Sequence, residues 1–230
     1  MKITKFKHLI AAFLLKWMEE ERIEIEQEEI GILFKKEVPL IHIKERTNDK
    51  EGLERELYDM MLQAAGDDDT LKKHEFADWI EHNRYRIRTW EKNVKEASQQ
   101  TLTERHIYKE IKKRTFLFKQ STYELTSDGH DVKIHIYKFI NYLRDFSLLN
   151  EHEAVNVKLW DELMIWAALL GITDEVYKEF QTLYPDYARE SAYSYTSISN
   201  VPSLSTSSAN SRSYVSSSSG GGGSVSGGGG

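Results

Sequence analysis

Histidine and carboxylate side chains are the residues in this sequence that come nearest to a metal-binding pattern. His74 and Asp78 are four residues apart, so on a helix they would share one face and offer two ligands. A zinc protease instead places two histidines four residues apart around a glutamate, whereas His82 follows His74 by eight. Exposed polar side chains on a helix explain this spacing better than a metal site does. We therefore expect no metal and no other cofactor.

Three adjacent carboxylates, Asp67, Asp68 and Asp69, form a second pattern that could bind a cation. Calcium loops, however, place their ligands at alternate positions and close with a glutamate. A run of acidic residues is also favoured at the start of a helix, where it faces the positive end of the helix dipole. The sequence predicts that these residues cap the next helix.

Groups that could act as nucleophiles or bind phosphate in an enzyme are missing from the sequence. Cysteine is absent, and no G-x-S-x-G motif occurs. Up to residue 190 the glycines occur singly, so no glycine-rich loop is available to bind phosphate. We expect a non-enzymatic protein. A hydrolase that uses His74 and the nearby acids is the weaker alternative.

A basic segment between residues 105 and 119 is the strongest candidate binding region. Phe116, Phe118 and Tyr123 are interleaved with it. Cations among aromatic side chains fit a nucleic acid backbone or anionic lipid headgroups, and a solvated face is the plainer explanation. The net charge of −6 argues mildly against general nucleic-acid binding. The candidate contact residues are Arg105, Lys109, Lys112, Lys113, Arg114 and Lys119.

Two units and a tail are predicted to position these residues. Residues 1–46 show a helical stripe from Phe6 to Met18, an alternating strand at residues 22–26, and further strands near residues 32–34 and 40–43. A helix followed by a hairpin is typical of the second half of a winged helix, so we expect a partial unit of that kind. The apolar run near the N-terminus is far shorter than the roughly 20 residues of a membrane span.

Residues 47–190 are predicted to form a second, larger unit. A helix is expected from Leu53 to Gly66, a long one follows with a break near Asn83, and a short one covers residues 102–113. Strands at 115–118 and 122–125, and a turn at 127–129, then resemble a second wing. A further helix is expected to resume at Asp131. The fold class is thus mainly α with small β-hairpins, as tandem winged-helix-like units plus a C-terminal helical hairpin.

The helical hairpin at residues 156–186 is the best-organised stretch of the chain. Apolar residues recur every three or four positions up to Leu170, and Gly171 stands where a helix ends. Thr173 and two acidic residues then begin a second helix, which Pro185 stops. We expect Trp160 and Trp166 to pack against the second wing.

Residues 191–230 are predicted to be a disordered tail. Sixteen of these 40 residues are serine and eight are glycine, a composition that buries too little apolar surface to fold. A few larger residues are candidates for transient docking on the folded part, namely Tyr193, Tyr195, Ile198, Val201 and Leu204.

The C-terminal helical region resembles that of the YciQ-like predicted membrane proteins, domain-of-unknown-function family 2207. The phrases FINYLRDFSLLNE and VKLWDELMIWAALLGITDEVYKEFQTLYPD and the Ser/Gly tail carry the likeness, and AFLLKWMEEERIEIE extends it to the front, so that it covers nearly all of the chain. The matching positions are Tyr142, Leu143, Asp145, Phe146, Ser147, Leu159, Trp160, Leu163, Ala167, Gly171, Val176 and Pro185.

This resemblance implies a cytoplasmic section of a membrane-anchored protein. Family members usually carry a signal, an extracytoplasmic β-rich domain and spanning helices, none of which is recognisable in these 230 residues. The family brings no catalytic residues, so we expect a cytoplasmic interaction or regulatory module, with the cytoplasmic face of the membrane as one candidate location. A protein partner is expected, such as a membrane-embedded companion chain. A DNA-binding winged helix is the alternative.

Overall fold

Helices dominate the computed structural model, which describes residues 6–30, 36–45, 51–114, 119–145 and 157–183. Seven helices and five strands lie in these ranges, and the chain there is mainly helical with small antiparallel sheets, as predicted. The elements are α1 (Phe6–Glu19), β1 (Ile23–Ile30), β2 (Lys36–Ile43), α2 (Leu53–Ala65), β3 (Thr70–Lys72), α3 (Lys73–His82), α4 (Arg84–Glu104), β4 (Tyr108–Arg114), β5 (Lys119–Leu125), α5 (Ser127–Arg144), α6 (Val157–Leu170) and α7 (Thr173–Leu183).

Helix α1 is buried along most of its length, and α6 packs against it. The two helices run antiparallel. At one end, the turn after α6 brings Gly171 against His8 near the start of α1. At the other end, Asp161 in the second turn of α6 lies close to Glu19 at the close of α1: burial raises the pKa of Asp161, and the negative charge of Glu19 adds to that rise. The predicted helix at the N-terminus is therefore confirmed as a central helix of the core.

The first sheet has the strand order β1-β2-β3, with antiparallel pairing throughout. Ile23 pairs with Ile43, and Ile25 pairs with Ile41, so all four isoleucines bury the same face. The strand predicted at residues 22–26 is confirmed, and the one at 40–43 is part of β2. The strand expected near residues 32–34 lies outside the described residues.

The acidic run does not cap a helix, which corrects the sequence prediction. Residues 67–69 form a turn in which the Asp68 side chain accepts a hydrogen bond from the Thr70 backbone, and Asp69 has a φ of 55°. Strand β3 then pairs with β2, and α3 begins only at Lys73. A hydrogen bond from the Lys72 backbone N–H to the Glu75 carboxylate takes the place expected for the aspartates at the start of this helix.

Helices α2, α3 and α4 follow the sequence prediction more closely. Asn83 separates α3 from α4, as expected, and its side chain donates to the Trp79 carbonyl at 2.9 Å. The Trp90 indole N–H donates to the Leu53 carbonyl at 2.7 Å and thereby ties α4 to the start of α2. Helix α4 and helix α1 meet where Phe6 contacts Trp90 edge to face.

The helix predicted over residues 102–113 is wrong. Helix α4 ends at Glu104, His106 has a φ of 57°, and the chain continues as β4. The mixed charged and apolar residues of β4 fit both the period of a helix and the period of a strand. Pairing with β5 selects the strand. The turn expected at residues 127–129 is instead the first turn of α5, where the Thr126 hydroxyl accepts from the Gly129 backbone at 3.0 Å.

The C-terminal helical hairpin is confirmed by α6 and α7. Gly171 stands between them with a φ of +76°, a conformation that favours glycine. Buried side chains from α1 through α7 belong to one hydrophobic cluster, and these come from both predicted units. The boundary at residues 46/47 stays a prediction, and Pro185 and the tail lie outside the described residues. None of the described helices is both long and apolar enough to cross a membrane.

Candidate interaction surface

The β4–β5 hairpin positions the basic segment that the sequence singled out. Its strands pair antiparallel from Tyr108↔Leu125 at the base to Arg114↔Lys119 at the far end. The base is held against the start of α5, because the Thr126 hydroxyl donates to the His106 carbonyl and a Cβ on Gly129 would overlap the Ile107 carbonyl. The hairpin is therefore fixed on the body of the protein rather than attached by a loose linker.

Five of the six predicted contact residues lie on this hairpin. Lys109 is exposed, and the Lys112 side chain is 80 % exposed with its Nζ 3.6 Å from the Glu110 carboxylate. Lys113 and Arg114 continue β4, and Lys119 begins β5 opposite Arg114; only their backbone positions are described. Arg105, the sixth, follows the last residue of α4 and is exposed.

A cleft of about 250 Å³ between α4 and the hairpin has the opposite charge. Three carboxylates line it, Glu96, Glu104 and Glu110, together with glutamine, threonine and tyrosine side chains. In register, Lys109 stands opposite Glu124. A phosphate backbone lying along both α4 and the hairpin would therefore meet negative charge on the side that faces α4.

Several exposed aromatic and aliphatic side chains on α5 and α6 were not predicted. Only two residues of α5 are buried, while Ile134 and Tyr137 are exposed by 51 % and 58 %. Trp166 of α6 is 51 % exposed and meets Phe139 edge to face at 6.3 Å. We expected Trp166 to pack against the second wing, but its half-exposed ring contacts Phe139 instead, because that side of α6 faces the lightly covered α5.

A buried ionic cluster around Arg22 was also not predicted from the sequence. The guanidinium lies 4.2 Å from the centre of the Tyr58 ring and its Nε donates to the Glu45 carboxylate at 3.0 Å. Glu54 lies 3.8 Å from the guanidinium and also accepts hydrogen bonds from Lys16 and Trp17. These groups tie α1, β1, β2 and α2 together, so their role is structural. Residues 20–54 carry many charges, and nothing in their spacing marks these as buried.

Asp161 is the other buried ionisable group of note. Its residue is 8 % exposed, and its Oδ1 accepts no hydrogen bond from any residue that the structure describes. Burial, with a smaller contribution from the negative charge of Glu19, raises the pKa of Asp161 to about 6. The carboxylate therefore titrates close to neutral pH at the interface of α1 and α6.

The residues considered for metal chemistry do not assemble into a site. His74 and Asp78 are exposed on α3, and the His82 ring makes a hydrogen bond with the Asp78 carbonyl at 2.7 Å. Within the described ranges, no group of three or more histidine or acidic side chains is arranged to hold a metal ion.

Residues 114–180 match the family model described as predicted membrane protein (DUF2207), C-terminal domain. The match confirms the predicted resemblance to family 2207 and begins at the last residue of β4. No curated protein matches the chain, and no solved structure does either.

Proposed function

We propose that the chain is a non-enzymatic, cytoplasmic interaction module that contacts anionic lipid headgroups through the β4–β5 hairpin. The observation that carries the proposal is the basic hairpin, which is fixed to the body at Thr126 and Gly129 and on which Lys109 and Lys112 are exposed. The likeness of the adjoining segment to a predicted membrane protein family supports a place beside a membrane.

Charge on the hairpin favours binding to an anionic surface. Five cationic residues and two carboxylates, Glu110 and Glu124, lie on the two strands. Each lysine or arginine near an anionic membrane surface contributes about 1 kcal/mol, and the contribution falls off within a Debye length. Because the hairpin is fixed, bringing it to a surface orders few additional residues. The folded body as a whole is acidic, so the interaction is confined to this element.

Vesicle flotation tests this proposal directly. We expect the protein to float with vesicles that contain phosphatidylserine and not with pure phosphatidylcholine, and the bound fraction to fall as salt is raised. The double variant Lys109→Glu/Lys112→Glu should bind at least tenfold more weakly. Lys92→Glu/Lys95→Glu on α4, which makes the same change in charge elsewhere, should alter binding less than twofold. Equal flotation with both vesicle types, or equal loss in both variants, would contradict the proposal.

A protein partner, such as a membrane-embedded companion chain, is the second candidate. The exposed Tyr137 and Trp166 support it, because aromatic side chains are enriched where proteins meet. Pull-down from membrane extracts with the parent protein and with Tyr137→Ser/Trp166→Ser tests it. A partner retained equally by both proteins would place the contact elsewhere.

The tandem winged-helix arrangement and the DNA-binding alternative stay proposals with less support. The acidic cleft beside α4 works against a phosphate backbone. Fluorescence anisotropy with duplex DNA at about 50 mM salt is the test, since low salt favours any electrostatic binding. No binding there excludes this alternative, whereas binding that Lys112→Ala/Lys113→Ala/Arg114→Ala abolishes would favour it over lipid contact. For the weaker hydrolase alternative, metal analysis of the purified protein is the corresponding test.

A further inference from the structure

An apolar groove of about 430 Å³ runs along α4 beside α1 and the start of α2. None of the described residues that line it is charged, although 30 % of the chain is charged. The Ser98 hydroxyl is turned back to the Val94 carbonyl at 2.7 Å, so it adds little polarity. The lining comprises Leu9, Phe13, Leu53, Trp90, Val94, Ala97, Ser98, Thr101 and Leu102.

We propose that the segment from Tyr195 to Leu204 of the same chain docks in this groove. Its apolar residues Tyr195, Ile198, Val201 and Leu204 recur every three positions, and Pro202 lies among them. A polyproline II conformation has three residues per turn, so this spacing places all four side chains on one face. The segment is uncharged, as the groove is.

The dimensions of segment and groove agree. From Trp90 to Leu102 the groove follows α4 for twelve residues, or about 18 Å at 1.5 Å per residue. From Ile198 to Leu204 a polyproline II segment spans about 19 Å at 3.1 Å per residue. Three of the four apolar side chains therefore fit along the groove. Its volume of about 430 Å³ lies within the usual range for a pocket that holds a group of that size.

The chain between α7 and the segment is long enough to reach. Helix α7 starts beside Gly171, which contacts His8 next to the groove residue Leu9, and its 11 residues carry the chain about 16 Å away. The twelve residues from Leu183 to Tyr195 can span up to about 40 Å. The return path along α7 and across one helix width is well within that length.

Other parts of the chain without described placement suit the groove less well. Residues 1–5, 31–35, 46–50 and 146–156 each contain at least one charged side chain. Residues 115–118 are uncharged, but they are only four residues between Arg114 and Lys119, which pair with each other. By contrast, residues 191–204 combine absence of charge with regular apolar spacing and a long tether.

Disulfide trapping tests the proposal in the full chain, which contains no native cysteine. In Ala97→Cys/Val201→Cys, we expect an intramolecular disulfide to form under mild oxidation at least tenfold faster than in Ala97→Cys/Ser216→Cys. A freely moving tail would give only about a two- to threefold difference, because effective concentration falls roughly as the −3/2 power of tether length.

A charge placed in the Tyr195–Leu204 segment distinguishes docking in the groove from random collision of the tail with it. Adding Ile198→Asp to the Ala97→Cys/Val201→Cys protein should slow trapping at least fivefold, whereas Ser207→Asp should leave the rate within twofold. Unchanged trapping with Ile198→Asp, or rates that differ only as tether length predicts, would overturn the proposal. Disulfide-linked dimers in place of an intramolecular product would also overturn it, because the occupant would then be the tail of a second copy.

Discussion

The Trp160 indole stacks on the Phe180 ring, with 3.8 Å between the ring centroids and 15° between the planes. This contact joins α6 to α7, and Trp160 is 1 % exposed. The expectation that Trp160 is a core residue is thus confirmed, although the ring it stacks on belongs to α7 rather than to a wing.

Truncating Trp160 should therefore destabilise the protein strongly. Trp160→Ala removes a fully buried aromatic ring and leaves a cavity beside Phe180, so we expect a loss of roughly 3–5 kcal/mol in the free energy of unfolding. Trp166→Ala is the matched control on the same helix, and its half-exposed ring should cost far less. Urea unfolding followed by circular dichroism measures both. Similar losses in the two variants would mean that the core is wrongly placed.

Replacing Asp161 should make stability less dependent on pH. Since its pKa is raised to about 6, the folded state holds a proton that the unfolded state has released between pH 4 and pH 6. The contribution of Asp161 to stability is therefore largest below pH 4 and is lost as pH rises through 6. The free energy of unfolding of Asp161→Asn should exceed that of the parent by roughly 2–3 kcal/mol above pH 7, and the two values should converge near pH 4.

The exposed neighbour Glu162 provides the control for this prediction. Glu162→Gln changes one carboxylate to an amide on the same turn of α6, and it should leave the pH profile of the parent almost unchanged. Unfolding in urea at several pH values between 4 and 8 compares the three proteins. A constant difference between Asp161→Asn and the parent across that range would show that Asp161 does not titrate there.

Removing the Arg22 charge should also be costly. Arg22→Met keeps much of the side-chain volume but leaves Glu54 and its partly buried neighbours without the guanidinium, so we expect a loss of roughly 3 kcal/mol. Arg55→Met removes an exposed partner of Asp59 and should change stability by less than about 0.5 kcal/mol. Thermal unfolding at pH 7 distinguishes them, and equal melting temperatures for the two variants would refute a structural role for Arg22.

Adding a methyl group at Gly171, in the turn between α6 and α7, should destabilise the protein in two ways: through the backbone conformation and through contact with His8. Gly171→Ala places an L-residue at a φ of +76° and drives its Cβ into the His8 ring. Gly66→Ala, at a φ of +74° and a ψ of −141° with open space around the new methyl, carries a backbone cost alone, of roughly 1–3 kcal/mol. We expect the overlap with His8 to add roughly 1–2 kcal/mol to the backbone cost of Gly171→Ala.

A double variant tests the steric part of that prediction. His8→Ala removes the ring that the new methyl group would meet, so adding it to Gly171→Ala should recover most of the excess cost relative to His8→Ala alone. Denaturant unfolding of the four proteins of this cycle gives the coupling energy. A coupling energy near zero would show that the turn does not press against α1.

Local patterns predicted the elements that are strongly periodic. The apolar repeat of α1, the alternation in β1, the break at Asn83 and the glycine between α6 and α7 all depend on residues close together in sequence. The pairing of β3 with β2 and of β4 with β5 depends on contacts that the local sequence does not encode. Tertiary pairing therefore decided between helix and strand over residues 70–72 and 108–114.

The candidate surface was predictable as a set of residues and not as a shape. Six basic positions were found from composition, and pairing of the strands placed five of them on one hairpin. The exposure of Trp166 and Tyr137 depends on how lightly α5 is covered, which the apolar spacing of α6 does not reveal. The burial of Arg22 and Asp161 likewise arises from packing between distant segments.

The antiparallel packing of α1 on α6 has a consequence for synthesis of the protein. Translation proceeds from the N-terminus at about 5–20 residues per second. Helix α6 begins roughly 140 residues after α1 ends, so it leaves the ribosome about 7 to 30 seconds later. During that interval the apolar side of α1 that α6 will cover has no native partner. We expect nascent chains to depend on a chaperone that shields this helix until α6 arrives.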